Sequence, residues 1–154
     1  MIRTVIVICL LSWAGAASSG QTTRLVHVYF QHTQRELQDQ SAGDSSAFPV
    51  AVYPVERTVE TRFAVRQALH QLLLGPTPAE RDSGYTSGFE GLKLIRLTIH
   101  QGRAIVHLRG PLKLEGVLSE PRLRRQAERT LFQFRRIQKV VLMINGRRTF
   151  NDLR

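Results

Sequence analysis

Apolar residues on either side of Gln101-Gly102 fall opposite one another when the chain folds back at that dipeptide. A two-residue turn there sets His100 against Arg103, Ile99 against Ala104, Leu97 against Val106 and Ile95 against Leu108. The last three pairs are apolar, so one face of a hairpin over 94–109 is dry. The other face carries Arg96, His100, Arg103, His107 and Arg109, interrupted by Leu94 and Ile105. A slip of one residue would turn every apolar side chain outward, so the pattern specifies a single register.

The rest of the chain is read around this hairpin. Residues 24–30 are β-branched and aromatic and predict a strand. Residues 31–47 are polar and predict a loop. Residues 48–59 are extended, and Pro49 and Pro54, which cannot donate to a ladder, place them at a sheet edge. Residues 60–74 predict a helix with Val65, Ala68, Leu69, Leu72 and Leu73 on one face, stopped by Gly75-Pro76. Residues 77–89 are rich in Gly, Ser, Thr and Pro and predict a second loop.

Ser119 is a candidate N-cap, with Pro121 in the first turn of a second helix. Leu123, Ala127, Leu131 and Phe134 line its inner face, while Arg122, Arg125, Arg129 and Arg136 follow another. Residues 138–144 are apolar on both faces and predict a central strand covered by helices. Asn145-Gly146 is a hairpin turn that returns residues 147–150 as a short last strand. This order predicts an α+β fold, with two helices packed on one face of a mixed or antiparallel sheet.

The N-terminus predicts the compartment. Met1-Ile2-Arg3 is followed by an apolar run from Thr4 to Trp13 and by small residues that include Ala14 and Ala16. This is the three-part pattern of a secretory signal peptide over residues 1–20. The run is short of the roughly 20 apolar residues needed to span a bilayer. Val5-Ile6-Val7-Ile8 before Cys9 is no lipobox. A single domain over 21–150 and a tail over 151–154 follow, with no membrane span expected in the mature chain. Cys9 is the only cysteine, which excludes a disulfide framework and a cysteine-based zinc cluster.

Charge is uneven. Residues 21–93 carry seven basic and eight acidic side chains, whereas residues 94–154 carry fourteen basic and four acidic ones. A basic half of this size favours an anionic partner. Arg96, Arg103 and Arg109 on the hairpin and Arg122, Arg125 and Arg129 on the second helix are the candidate anion- or partner-binding surface. Nucleic acid is disfavoured as that partner, because there is no aromatic stacking platform, no helix-turn-helix cue and an export signal.

Two sets of residues resemble the GerMN domain, named from a sporulation and spore germination lipoprotein. In the first half they are Phe48-Pro49-Val50, Val55 to Val59, and Ala68 to Thr77 with Gly75-Pro76-Thr77, then Glu80 and Gly84-Tyr85-Thr86-Ser87. In the second half they are Gly102 with Ala104 to Leu108, Gln126, Thr130-Leu131 with Gln133-Phe134, Val140 and Ile144-Asn145-Gly146. The resemblance covers nearly all of the mature chain. It implies a secreted or periplasmic envelope protein with a fold like the ring-building motifs of secretion and sporulation assemblies. Family members occur alone, in tandem or beside cell-wall amidase domains. It carries over no catalytic residue, and this chain shows one copy and no lipobox.

Chemistry competes with binding as a reading of the loop and the histidines. Thr77, Ser83, Thr86 and Ser87 are the hydroxyls a hydrolase could use, with His70, His100 or His107 as base and Glu80 or Asp82 as orienter. No Gly-x-Ser-x-Gly spacing occurs, and such hydroxyls more often make local turn bonds. The five histidines are scattered, and His107 faces Arg96, whose charge repels a cation. No metal and no cofactor is expected. The leading expectation is therefore a non-catalytic domain that binds envelope proteins, itself, or an anionic cell-wall or lipid surface. The alternative is an envelope hydrolase or hydrolase accessory using the 77–89 loop.

Overall fold

A computed structural model describes residues 22–43, 50–112 and 116–148. The expected signal peptide and C-terminal tail lie outside the described residues, as do positions 48–49 and 149–150 of the expected strands.

The first half opens with β1 (Thr23–His32), followed by α1 (Thr33–Ser41), β2 (Tyr53–Glu60), a 3-10 turn (Thr61–Phe63) and α2 (Ala64–Leu74). It ends with α3 (Pro78–Asp82) and β3 (Tyr85–Thr86). β1 pairs antiparallel with β2 from Thr23↔Glu60 to Phe30↔Tyr53, and its last two residues pair with β3. The order β2-β1-β3 leaves β2 at an edge, which accommodates Pro54.

Two expected loops are corrected here. Residues 31–41 of the first do not form a loop, because β1 continues to His32 and α1 follows at once, while 44–47 lie outside the described residues. His32 occupies the cap position, and its Nδ1 accepts from the Arg35 N–H at 3.3 Å. Leu37, itself exposed, is the helix's only apolar residue, so no apolar period marks it; Glu36 is its buried residue. Residues 77–89 are likewise not one loop. Thr77 and Glu80 form a reciprocal capping box with Pro78 in the first turn, which is sufficient to start α3.

The second half contains β4 (Lys93–His100), β5 (Arg103–Arg109), α4 (Ser119–Phe132), β6 (Lys139–Ile144) and β7 (Arg147–Arg148). The strands lie in the order β4-β5-β6-β7. β5 and β6 run parallel and the other pairs antiparallel, so the sheet is mixed. The hairpin register holds at His100↔Arg103, Ile99↔Ala104 and Leu97↔Val106. The expected pair Ile95↔Leu108 is wrong. A bulge between Leu94 and Arg96 sets Leu94 against Leu108 and leaves Ile95 60% exposed.

Two smaller expectations also change. Leu118 holds the N-cap position of α4, so Ser119 is its first helical residue. β6 lies between β5 and the two-residue β7, but only Leu142 and Ile144 are buried, while Val141 and Met143 are half-buried. Helices therefore cover one of its faces.

The fold is α+β, with its strands in two sheets rather than one. α2 packs against β1, β2 and β4, α4 packs against β1 and β6, and the two helices touch each other. One cluster of buried side chains runs from Val26, Val28 and Phe30 through Leu69, Leu72, Leu123 and Leu131 to Val106 and Leu142. The helices thus occupy the inner side of the four-stranded sheet and leave its outer side open.

Candidate binding surface

Alternation along β4, β5 and β6 decides what the outer side carries. Ala104, Val106, Leu108, Leu142 and Ile144 are buried inward. Their neighbours must point outward. The outward set includes Lys93, Arg96, Arg103, Arg109 and Lys139, all exposed. The register brings Arg109 beside Lys93 and sets Arg103 between His100 and Lys139. Half-buried Ile105, Val141 and Met143 sit among these cations. None of the residues of β4, β5 and β6 is acidic. Like charges on neighbouring strands destabilise one another, and an anion relieves that repulsion.

The three helix arginines are placed elsewhere. The Arg122 Nη2 lies 3.2 Å from Glu36 Oε2, so it bridges α4 to α1. Arg129 stacks 5.3 Å above the Tyr29 ring of β1. Arg125 is half-buried. The six candidate arginines therefore do not form one surface: Arg96, Arg103 and Arg109 share the outer sheet face, while Arg122 and Arg129 bind their own chain on the helical side.

Three of the four candidate hydroxyls in residues 77–89 are bonded within the fold. Thr77 Oγ1 accepts from the Glu80 N–H at 3.3 Å, and Ser83 Oγ donates to the Ala79 carbonyl at 2.9 Å. Ser87 Oγ donates to Gln126 Oε1 at 3.3 Å and accepts from the Phe89 N–H at 3.2 Å. Among the described residues none of these hydroxyls is hydrogen-bonded to a histidine. Glu80 receives both terminal nitrogens of Arg57, at 2.8 and 2.7 Å, which ties α3 to β2. That bidentate contact, aided by the Thr77 N–H, holds the Glu80 carboxyl below its ordinary value against the opposing effect of burial. No group of three or more His, Cys, Asp or Glu is placed to hold a metal among the described residues.

The motif positions that carry the family resemblance also have structural work. Thr130 Oγ1 accepts from the Tyr29 N–H at 3.1 Å. Gln133 bonds the backbone of His27, Leu131 and Phe134 are buried, and Arg24 lies 5.5 Å over the Phe134 ring. Gly75 and Gly84 both have positive φ. At Gly84 a Cβ would meet the His32 ring at 3.2 Å.

Sequence reasoning missed the polar cluster around α1. His32 is 8% exposed and meets Tyr85 edge-on at 4.8 Å. The Tyr53 hydroxyl donates to Asp39 Oδ2 at 2.6 Å, and burial, followed by that bond, pushes its pKa up. The residues were visible, but nothing in their spacing placed 32–39 against 53 and 85.

The family described as Germane, sporulation and spore germination, matches residues 21–149. The fold is similar to the tandem GerMN domains of the sporulation protein GerM from Bacillus subtilis, with TM-score 0.56 and 18% identity over 86% of this chain and 43% of that one. The chain thus spans less than half the length of that tandem-domain structure. It is also similar to the first GerMN domain of the same protein, with TM-score 0.54 and 20% identity over 81% of this chain and 85% of that one. Comparison with curated proteins gives no match.

Proposed function

The chain belongs to the Germane family of sporulation and spore germination domains, and from that premise we propose that it is a non-catalytic, exported binding domain for an anionic component of the cell envelope. The observation that carries this reading is the outer face of the four-stranded sheet. Lys93, Arg96, Arg103, Arg109 and Lys139 are exposed there, in strands that contain no acid. A flat field of cations around a small apolar centre suits an extended polyanion or an acidic protein surface, whose binding displaces counterions. The signal-peptide pattern of residues 1–20 supports export. Among the described residues no helix is long and apolar enough to cross a membrane. The bonds made by Thr77, Ser83 and Ser87 give the hydrolase reading no support.

Retention of the mature chain on purified cell-wall sacculi and on phosphatidylglycerol vesicles, at low salt, tests this reading. Changing Arg96, Arg103 and Arg109 together to Glu should abolish retention and leave the thermal midpoint nearly unchanged, because all three are exposed. Full retention by that triple variant on both supports overturns the reading.

A further inference from the structure

We propose that the groove between α2 and β4 is a second docking site, taking an extended segment of a partner protein in which apolar and acidic residues alternate. It rests on the outer face of the same sheet being anion-binding, and adds to it a shaped, apolar site with a defined occupant.

β4 ends the four-stranded sheet, and its outer edge pairs with no other strand among the described residues. Beside that edge, the inner side of the sheet opens into a groove of about 520 Å³. Its apolar lining includes Phe63, Leu74 and Leu94, with Phe63 47% and Leu74 58% exposed. Arg66, His70 and Lys93 also line it, and no carboxylate does. Exposed apolar surface beside an open strand edge is what strand addition uses: backbone bonds supply affinity, and pockets for alternate side chains supply selectivity.

The period of a strand then fixes the occupant. An added strand sends alternate side chains to opposite faces. On the inner face they enter the groove against Leu74 and Leu94, which favours apolar residues. On the outer face they lie beside Arg96, which favours carboxylates, as do Arg66, His70 and Lys93 around the groove. The bulge between Leu94 and Arg96 interrupts regular pairing, so an added strand bonds β4 on either side of it, at residues 96–100 and at Lys93-Leu94 beside the groove. A second copy of this chain is a poor fit, since its net charge is +10.

The test uses the full mature chain at physiological ionic strength. The probe is a labelled ten-residue peptide alternating Val and Glu, read by fluorescence anisotropy. Its controls are a Val and Lys alternation and a peptide with the same Val and Glu content arranged in two blocks. The alternating Val and Glu peptide should bind at least about tenfold more tightly than either control. Leu74→Lys and Arg66→Glu should each weaken it by about tenfold, with thermal midpoints nearly unchanged since both residues are exposed. Leu74→Lys should leave sacculus retention intact, so failure of this site and failure of the outer face are seen separately. Equal binding of the block peptide, absence of binding at millimolar peptide, or binding unaffected by both substitutions overturns the proposal. Self-association in sedimentation that Leu74→Lys removes would make the occupant a second copy and also overturn it.

Discussion

Gln133 closes the backbone of His27 with both ends of its amide. Its Oε1 accepts from the His27 N–H at 3.0 Å, and its Nε2 donates to the His27 carbonyl at 2.7 Å. A strand neighbour would make the same two bonds, so α4 completes the edge of β1 where β3 stops. Thr130 continues this with Tyr29. Asn145 repeats the device at Gly110, accepting from its N–H at 3.1 Å and donating to its carbonyl at 2.9 Å. Thr130, Gln133 and Asn145 all belong to the motifs that carry the family resemblance, and each satisfies backbone that no strand reaches.

Replacing Gln133 by Leu keeps much of the volume and removes both bonds, together with the one its Nε2 donates to the Thr130 carbonyl. His27 is exposed, so water replaces part of what is lost. The expected loss is about 0.5–1.5 kcal/mol, not the larger penalty of an orphaned buried group. Urea unfolding measures it, and hydrogen exchange at His27 should accelerate in the variant. Unchanged exchange at that amide would show that the bond does not protect it.

Leu131 and Leu97 separate the two sides of the core. Leu131 is fully buried on α4, so Leu131→Ala should lose about 2–5 kcal/mol. Leu97 packs against the core but is half-buried, and its truncation should lose about 1–2 kcal/mol. Denaturant midpoints of both variants check the order, which reverses if α4 is not seated against β1.

Periodic apolar residues made the main elements legible. Val65, Ala68, Leu69 and Leu72 located α2, Leu123, Ala127 and Leu131 located α4, and the Gln101-Gly102 turn set the hairpin register as far as Leu97. Polar structure was harder to read. α1 has no apolar stripe and begins on a histidine cap, so its residues look like a loop. The capping box of Thr77 and Glu80 was present in the sequence, but it starts a helix only five residues long. The bulge at Ile95 was invisible because Ile95 and Leu94 are equally apolar, and either satisfies the pattern. At the candidate surface, the hairpin cations followed from alternation. The pairing of Arg122 with Glu36 spans 86 positions, and no local spacing encodes it.

The pair of Arg57 and Glu80 predicts a pH dependence. The folded-state pKa of Glu80 is lowered, chiefly by its hydrogen bonds to Arg57. Stability from that ionised form is fully present above its ordinary value of 4.5 and is lost as pH falls through the folded value. Glu80→Gln should therefore lose about 1–3 kcal/mol at neutral pH. The gap to the parent chain should close progressively below about pH 4.5. Urea titrations at several pH values read the gap, and a difference that stays constant into acid would mean that the charge of Glu80 contributes nothing.

Charge reversal on α4 should distinguish Arg122 from Arg125. Read as a solvated stripe, Arg122, Arg125 and Arg129 would tolerate Glu with no change in thermal midpoint. The structure predicts otherwise for Arg122. Its partner Glu36 has a side chain only 7% exposed, while the Arg122 side chain is 30% exposed. Arg122→Glu sets a second carboxylate beside a buried one and removes the cation that offsets its desolvation. Breaking a fully buried pair costs about 3–5 kcal/mol, and the partial exposure of Arg122 lowers the expected loss to about 2–3 kcal/mol. Arg125→Glu, on a half-buried side chain with no ion-pair partner among the described residues, should change stability by less than about 1 kcal/mol. Urea unfolding of the two single variants decides the matter. If Arg122→Glu is as mild as Arg125→Glu, the bridge between α4 and α1 does not hold the first helix in place; if Glu36→Gln then restores the stability of Arg122→Glu, the repulsion between the two carboxylates is the cause.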